Sequence, residues 1–325
     1  MVPVTLDSIS PGQALRSRTD WFMAAHWGIM CHYLDSPASS ERVSDTSSED
    51  WNRRVDSFDV PRFTHQVESI GAGYVIFTTG QNSGHFCSPN ATYDSIVGRY
   101  SSRCSKRDLI AEVAESLAGI GVKLIVYLPS GAPEFDPLAV ERFEWKRGDY
   151  RLLQFQCRWE SVIREWSDRW GDKIAGWWID GCYFSEAMYN HLETPNFSSF
   201  SSALRSGNPE SIVAFNAGVK TPVTPLTEYE DYTAGEINTD FPTANKWHTP
   251  TRFLSGAQYH ILSYLGTWWG EGAPRFSCEF VAGFTTDVNS RDGVVTWDVP
   301  IGAAGQIDSA FVQQLIRLDA VAGRR

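Results

Sequence analysis

Short apolar runs recur along this chain, each followed by polar or glycine-bearing residues and then by a stretch with helical apolar spacing. Residues 74–79, 122–128, 174–180 and 211–215 are too poor in polar side chains to be edge strands and read as buried ones. Residues 21–29, with His26 near the end, read as the opening strand. Helices are expected at 61–70, where Pro61 suits the first turn and Gly71 and Gly73 end it, and at 106–117, through Leu109, Val113 and Leu117. Residues 155–170 place Trp159, Val162, Ile163 and Trp166 on one side of a further helix, and 198–204 belong to the next. The period then weakens. Strands are expected near 232–237, 261–265 and 294–299, and helices from Pro250-Thr251, over 276–287 and over 307–321. Residues 35–57 and 132–154 carry no clear period and read as long loops.

Strand, helix, glycine and strand thus alternate at intervals of roughly 25–50 residues, as in a parallel sheet with crossover helices. Five clear units and three weaker ones predict an α/β fold, a (β/α)8 TIM-like barrel with enlarged βα loops, as one domain over 1–325. A doubly wound sheet is the alternative, weakened because no strand is followed by G-x-G-x-x-G. Polar residues gather just after the strands, at His26, Gln81, Asn82, Asp180, Asn216 and Glu236, where a barrel builds its site.

Charge and composition narrow the chemistry. The net charge of -11 and the lack of a basic stripe argue against nucleic acid and anionic membrane surfaces as partners. No apolar stretch is long enough to span a bilayer, and the first ten residues do not read as a secretory signal, so a cytoplasmic location is expected unless the sequence is truncated. The six cysteines form no C-x-x-C pair, the histidines are scattered, and no metal or other cofactor is expected. There is no G-x-S-x-G elbow. The 13 Trp exceed ordinary packing needs and suit walls for flat polar ligands such as sugar rings.

A pair of carboxylates remains. The run Gly176-Trp177-Trp178-Ile179-Asp180-Gly181 climbs to an acid and stops at a glycine. Asp180 either caps the next helix or stands at the mouth of a pocket. Glycosidic bond cleavage needs one acid to protonate the leaving oxygen and a second to attack the anomeric carbon or activate water. Candidate partners for Asp180 are Glu228, Glu230, Asp231, Glu236, Glu271 and Glu279.

Several of these stretches together resemble the α-L-fucosidase family of glycoside hydrolases, family 29, collinearly from about residue 20 to about residue 318. They are Trp21-Phe22 with His26-Trp27-Gly28, Phe77-Thr78-Thr79 with Gly84 and Phe86, and Lys106-Arg107-Asp108-Leu109 followed by Gly121 to Tyr127. Trp178-Ile179-Asp180-Gly181 and 231–236 complete the set. The resemblance implies a retaining exo-glycosidase on a (β/α)8-type barrel, with Asp180 as nucleophile and Glu236 as acid/base. The candidates for sugar binding are His26, Trp27, Gln81, Asn82, His85, Tyr127, Trp178, Asn216 and Trp269, with Glu230 and Glu271 in reserve for the acid role. The chain departs from the family at Gln81-Asn82-Ser83, where adjacent histidines and an Asp are usual, and at Asn216-Ala217, where an Asn-Arg pair is common. Such changes imply an altered sugar grip. The expected activity is release of an α-linked L-fucose-like sugar from an oligosaccharide or glycoside. The alternatives are an α-L-galactosidase or pentosidase, a silent carbohydrate-binding barrel, or a metal-dependent barrel hydrolase. No C-terminal β-sandwich is expected, and homo-oligomer formation stays open.

Overall fold

The computed structural model describes residues 17–243 and 251–323. The expected absence of a leader at the N-terminus and the helix start at Pro250 lie outside them. Among the described residues, seven parallel strands form one curled, open sheet in the order β5-β4-β3-β2-β1-β9-β8. These are β1 (Trp27–Cys31), β2 (Tyr74–Thr78), β3 (Lys123–Pro129), β4 (Gly176–Asp180), β5 (Ile212–Phe215), β8 (His260–Tyr264) and β9 (Val294–Asp298). A small antiparallel hairpin, β6 (Phe253–Leu254) with β7 (Ala257–Gln258), precedes β8. The expectation of eight regular strands is met by seven. At the expected sixth position, 231–237 makes ladder-like bonds without regular strand geometry: Asp231 N–H donates to Val213 of β5, while Leu262 N–H and Ile237 N–H exchange bonds across to β8.

Helices pack on the outside. Asp59 caps α3 (Val60–Ile70) by accepting from Arg62 N–H, and Gly71 ends it with φ +76°. Asp108 caps α5 (Leu109–Ala118), and α7 (Leu153–Trp170) buries Phe155, Trp159, Val162, Ile163, Trp166 and Trp170. The side chains alternate across β4 as pleating requires. Trp177 packs outward against Trp170, with ring centroids 5.7 Å apart, while Trp178 faces inward and stacks on Tyr127 at 5.3 Å.

Two expectations are corrected. Residues 21–29 are not one strand. Asp20–Ala25 form α1, His26 breaks the chain direction at φ +63°, and β1 begins at Trp27. A short apolar run does not distinguish helix from strand. Here Phe22 plugs the lower end of the curl against Tyr74, Tyr232 and His260. Within 35–57, Ser48–Asp56 form α2, whose cap is Ser47 and whose buried residues are Trp51 and Val55. A stripe of two apolar residues in a polar stretch is too thin to read as a period. In the other loop, 132–154, Asp136 caps α6 (Pro137–Phe143).

Candidate active site

The upper, C-terminal ends of the strands surround a cavity of about 220 Å³. Asp180 enters it from the end of β4, and Gly181, at φ +81°, turns the chain away immediately afterwards. Tyr127, from β3, donates its hydroxyl to Asp180 Oδ2 at 2.6 Å. Gln81, after β2, donates to that hydroxyl at 2.7 Å. From the end of β5, the fully buried Asn216 presents its amide to the other oxygen. Its Nδ2 donates to Asp180 Oδ1 at 2.8 Å and to Glu236 Oε2 at 2.5 Å. The two facing carboxylate oxygens are no farther apart than these two bonds laid end to end.

Glu236 is placed by the irregular 231–237 segment. Gly235 has φ +72°, and a Cβ there would sit 2.1 Å from the carbonyl oxygen of His260. Tyr232 Oη donates to the Trp177 carbonyl and Trp178 Nε1 to the Ala234 carbonyl, so two hydrogen bonds tie the segment to β4. Burial and then the Asp180 charge push the Glu236 carboxyl up to about 7, against the opposing pull of the Asn216 bond. A carboxyl at that value is protonated about half the time near neutral pH and suits proton donation and return.

The opposite wall is His32, just past β1. Its Nδ1 lies 2.7 Å from Asp298 Oδ1 at the end of β9. Burial pulls the imidazole down, but the Asp298 carboxylate, helped by Asp180 and Glu236, outweighs it and raises it above the ordinary histidine range. Asp298 Oδ2 also accepts from Gly270 N–H and so holds the loop that carries Trp269. Trp178 and Trp269 supply flat apolar faces, and Tyr183 stands beside Asp180, whose charge, with burial, raises the phenol.

The structure therefore brings together Asp180, Glu236, Gln81, Asn82, Tyr127, Trp178, Asn216 and Trp269 from the sequence reading. It does not bring His26, Trp27 or His85 to the cavity. His26 and Trp27 lie at the lower end of β1, and the Trp27 ring is in the outer core. His85 is buried against the Trp51 ring with Nδ1 3.4 Å from Asp35. The reserve acids lie elsewhere too. Glu230 is buried and accepts from the backbone N–H groups of Phe215, Leu226 and Thr227, and desolvation raises it to about 8. Glu271 accepts from the backbone and hydroxyl of Ser39 in a neighbouring depression. Of the remaining candidates, Asp231 is buried in ion pairs with Arg18 and Arg205, and Glu228 and Glu279 are exposed.

His32, Asp298 and Tyr183 were missed by sequence reasoning. The signal for Asp298 was present: Val294-Val295-Thr296-Trp297-Asp298 is an apolar climb ending in an acid, the same pattern that singled out Asp180. A strand over 21–29 ends three residues before His32 and offers His26 as its polar terminus instead. Among the described residues no three His, Cys, Asp or Glu side chains gather as metal ligands, and no helix is long and apolar enough to cross a membrane.

No family model and no curated protein matches the chain. Solved structures do. The endo-fucoidan hydrolase MfFcnA4 from glycoside hydrolase family 107 superposes with a TM-score of 0.71 at 16% identity, covering 93% of this chain and 53% of that one. The chain thus spans about half the length of that enzyme. The endo-fucoidan hydrolase P5AFcnA, also from family 107, gives 0.66 at 18% identity over 93% and 92% of the two chains. The α-L-fucosidase AlfC from Lactobacillus casei gives 0.62 at 15% identity over 94% and 98%. At these identities the likeness is one of fold: the chain is distantly similar in structure to glycoside hydrolases that act on fucose-containing sugars.

Proposed function

We propose that the chain is a retaining glycoside hydrolase that cleaves an α-linked L-fucose-like sugar, working as a single catalytic domain. In this reading the curled sheet is a (β/α)8 barrel whose sixth position is occupied by 231–237. The observation that carries the proposal is the Asn216 bridge, which holds Asp180 and Glu236 a short distance apart across one cavity.

Asp180 Oδ1 or Oδ2 attacks the anomeric carbon as the bond from that carbon to the leaving oxygen breaks. Glu236, kept largely protonated below its value of about 7, gives its proton to that oxygen. A water then enters. Glu236, now ionised, takes its proton, the water oxygen bonds to the anomeric carbon, and the Asp180 carboxylate departs. The hydrogen bonds from Tyr127 and Asn216 fix the attacking carboxylate, and His32, whose proton affinity the nearby carboxylates raise, stands across the cavity from the pair.

The test is hydrolysis of a panel of aryl glycosides, α-L-fucoside included, by wild type and Asp180→Ala, with azide added to the variant. Turnover by wild type, its loss in the variant and recovery as a glycosyl azide are expected. An Asp180→Ala protein that keeps wild-type turnover would sink the reading. The panel also addresses a second specificity, an α-L-galactoside or pentoside. One observation favours it: one N–H of the Gln81 amide is committed to Tyr127 rather than to a sugar hydroxyl.

A further inference from the structure

The catalytic cavity does not end at Asp180. A second depression of about 140 Å³ opens on the far side of that carboxylate and shares Asp180, Asn82 and Tyr183 with the first. Its outer wall is Trp145 and Arg147 from the 132–154 loop, and Phe184 continues the wall on the β4 side. Glu236 lines the first cavity and not the second.

The loop is built for this position. A Cβ on Gly131 would lie 2.5 Å from the Trp145 ring, so glycine lets the indole settle onto the turn after β3. Phe155 holds it from behind at a centroid distance of 4.5 Å. Trp145 Nε1 is itself buried, so it is the ring of this residue that lines the depression. Arg147 pairs with Glu134 at 3.1 Å on the rim, where such a pair is weakly held and open to exchange with a ligand's hydroxyls. Tyr183 and Phe184 stay 46% and 37% exposed, unusual for rings with a core beside them, and offer flat faces of the kind that sugars stack on.

We infer that this depression is a second sugar subsite on the glycone side, so that the reacting sugar carries a further sugar and the enzyme cuts within a chain. The inference rests on the proposed double displacement. In that chemistry the nucleophile and the leaving group occupy opposite faces of the anomeric carbon, and the leaving group departs toward the acid. A depression beside Asp180 and away from Glu236 cannot hold the leaving group. What it holds is attached to one of the reacting sugar's other hydroxyls. The exo mode expected from the sequence gives way to this reading.

The experiment uses α-L-fucosyl oligosaccharides of increasing length, labelled at the reducing end, together with the aryl α-L-monofucoside. Wild type is expected to release unlabelled products of more than one sugar. Trp145→Ala and Arg147→Ala are expected to lower the ratio of kcat/KM on the longest substrate to that on the monofucoside by about tenfold. Trp145→Phe keeps an aromatic ring on Gly131 and Phe155 but offers less flat area, so a smaller fall in the same ratio is expected even if the alanine variant folds poorly. Release of free monosaccharide alone, with the ratio unmoved in all three variants, overturns the subsite and leaves the glycosidase reading standing. If wild type cleaves no fucoside at all, that reading fails and calorimetry decides the subsite. Tighter binding of the oligosaccharides than of the monofucoside, reduced in Trp145→Phe and in Arg147→Ala, upholds it, and equal binding rejects it.

Discussion

Asp180 and Glu236 share a single amide nitrogen: Asn216 Nδ2 donates to one oxygen of each. Two carboxylates so close repel each other, and one of them must bind its proton more tightly. Glu236 is that one: burial and then the Asp180 charge raise its carboxyl. The amide works against this shift by donating to the ionised form. It therefore tunes the acid as well as spacing the pair.

Removing the amide should expose both roles. In Asn216→Ala the Glu236 carboxyl loses a bond that favours its charged form, so its apparent value rises further above the ordinary range. The high-pH limb of the kcat/KM profile should move to higher pH. The maximum should fall by about 10–100-fold, the equivalent of one hydrogen bond to a charged group. A profile measured from pH 5 to 9 checks this. A limb that shifts to lower pH would contradict the assignment of Glu236 as the acid.

The same raised value makes a stability prediction with a definite sign. A carboxyl whose folded value lies above its unfolded one favours the fold fully at pH below the unfolded value, near 4.5. That contribution is lost as pH rises toward about 7, because the unfolded chain ionises there and the folded chain resists. Glu236→Gln has no such dependence. Its Tm relative to wild type should therefore be higher at pH 8 than at pH 4, while glycosidase turnover falls. Paired thermal melts across that range test the sign directly. A difference in Tm that is flat with pH would mean that Glu236 titrates alike in both states.

Asp298 faces Nδ1 of His32 and raises the proton affinity of the imidazole against the pull of burial. Asp298→Asn keeps the shape and removes the charge, so burial should then prevail and the imidazole should titrate at lower pH than in wild type. A nitrogen-detected NMR titration of His32 reads this directly. Activity near neutral pH should drop about 10–100-fold, in line with the loss of a charge-assisted bond of ~1.5–3 kcal/mol. An unmoved His32 titration would show that Asp180 and Glu236 alone sustain that proton affinity.

Much of this arrangement was legible in the chain. Buried parallel strands announce themselves as apolar runs, so β2 to β5 were placed within a residue or two, and an acid or amide at the end of such a run marks the site face. That logic found Asp180 and Asn216. It also offered Glu236, at the end of a weaker run, but only the resemblance at 231–236 singled that acid out from the six candidate partners of Asp180. The failures have one physical source. Where an apolar run contains both a helix and a strand, as over 20–31, periodicity cannot say where one stops. The conformational switch at His26 was invisible, and with it His32. Glu230 shows the complementary error. A buried acid with a raised value looks catalytic, yet here three backbone N–H groups consume its oxygens.

The placement of Glu236 depends on a residue with no side chain. At Gly235 the backbone takes φ +72°, and the space a methyl would need lies 2.1 Å from the His260 carbonyl oxygen and 2.8 Å from the Ile261 Cα. Both obstacles are backbone atoms of β8 and its neighbours, which cannot turn aside as a flexible side chain would. Gly235→Ala must therefore push 231–237 off β8, stretching the Leu262 N–H bond to the Gly235 carbonyl and carrying the Glu236 carboxylate away from Asn216. A loss of stability of about 1–3 kcal/mol is expected from the strained backbone alone. The kinetic loss should be larger than that of a general destabilisation, because a displacement of about 1 Å at the reacting groups can cost on the order of 100-fold. The decisive measurement is kcat well below the melting range, per folded molecule. If Gly235→Ala lowers Tm but leaves that kcat intact, Glu236 keeps its position by other contacts, and the tight approach of Gly235 to β8 matters for folding alone.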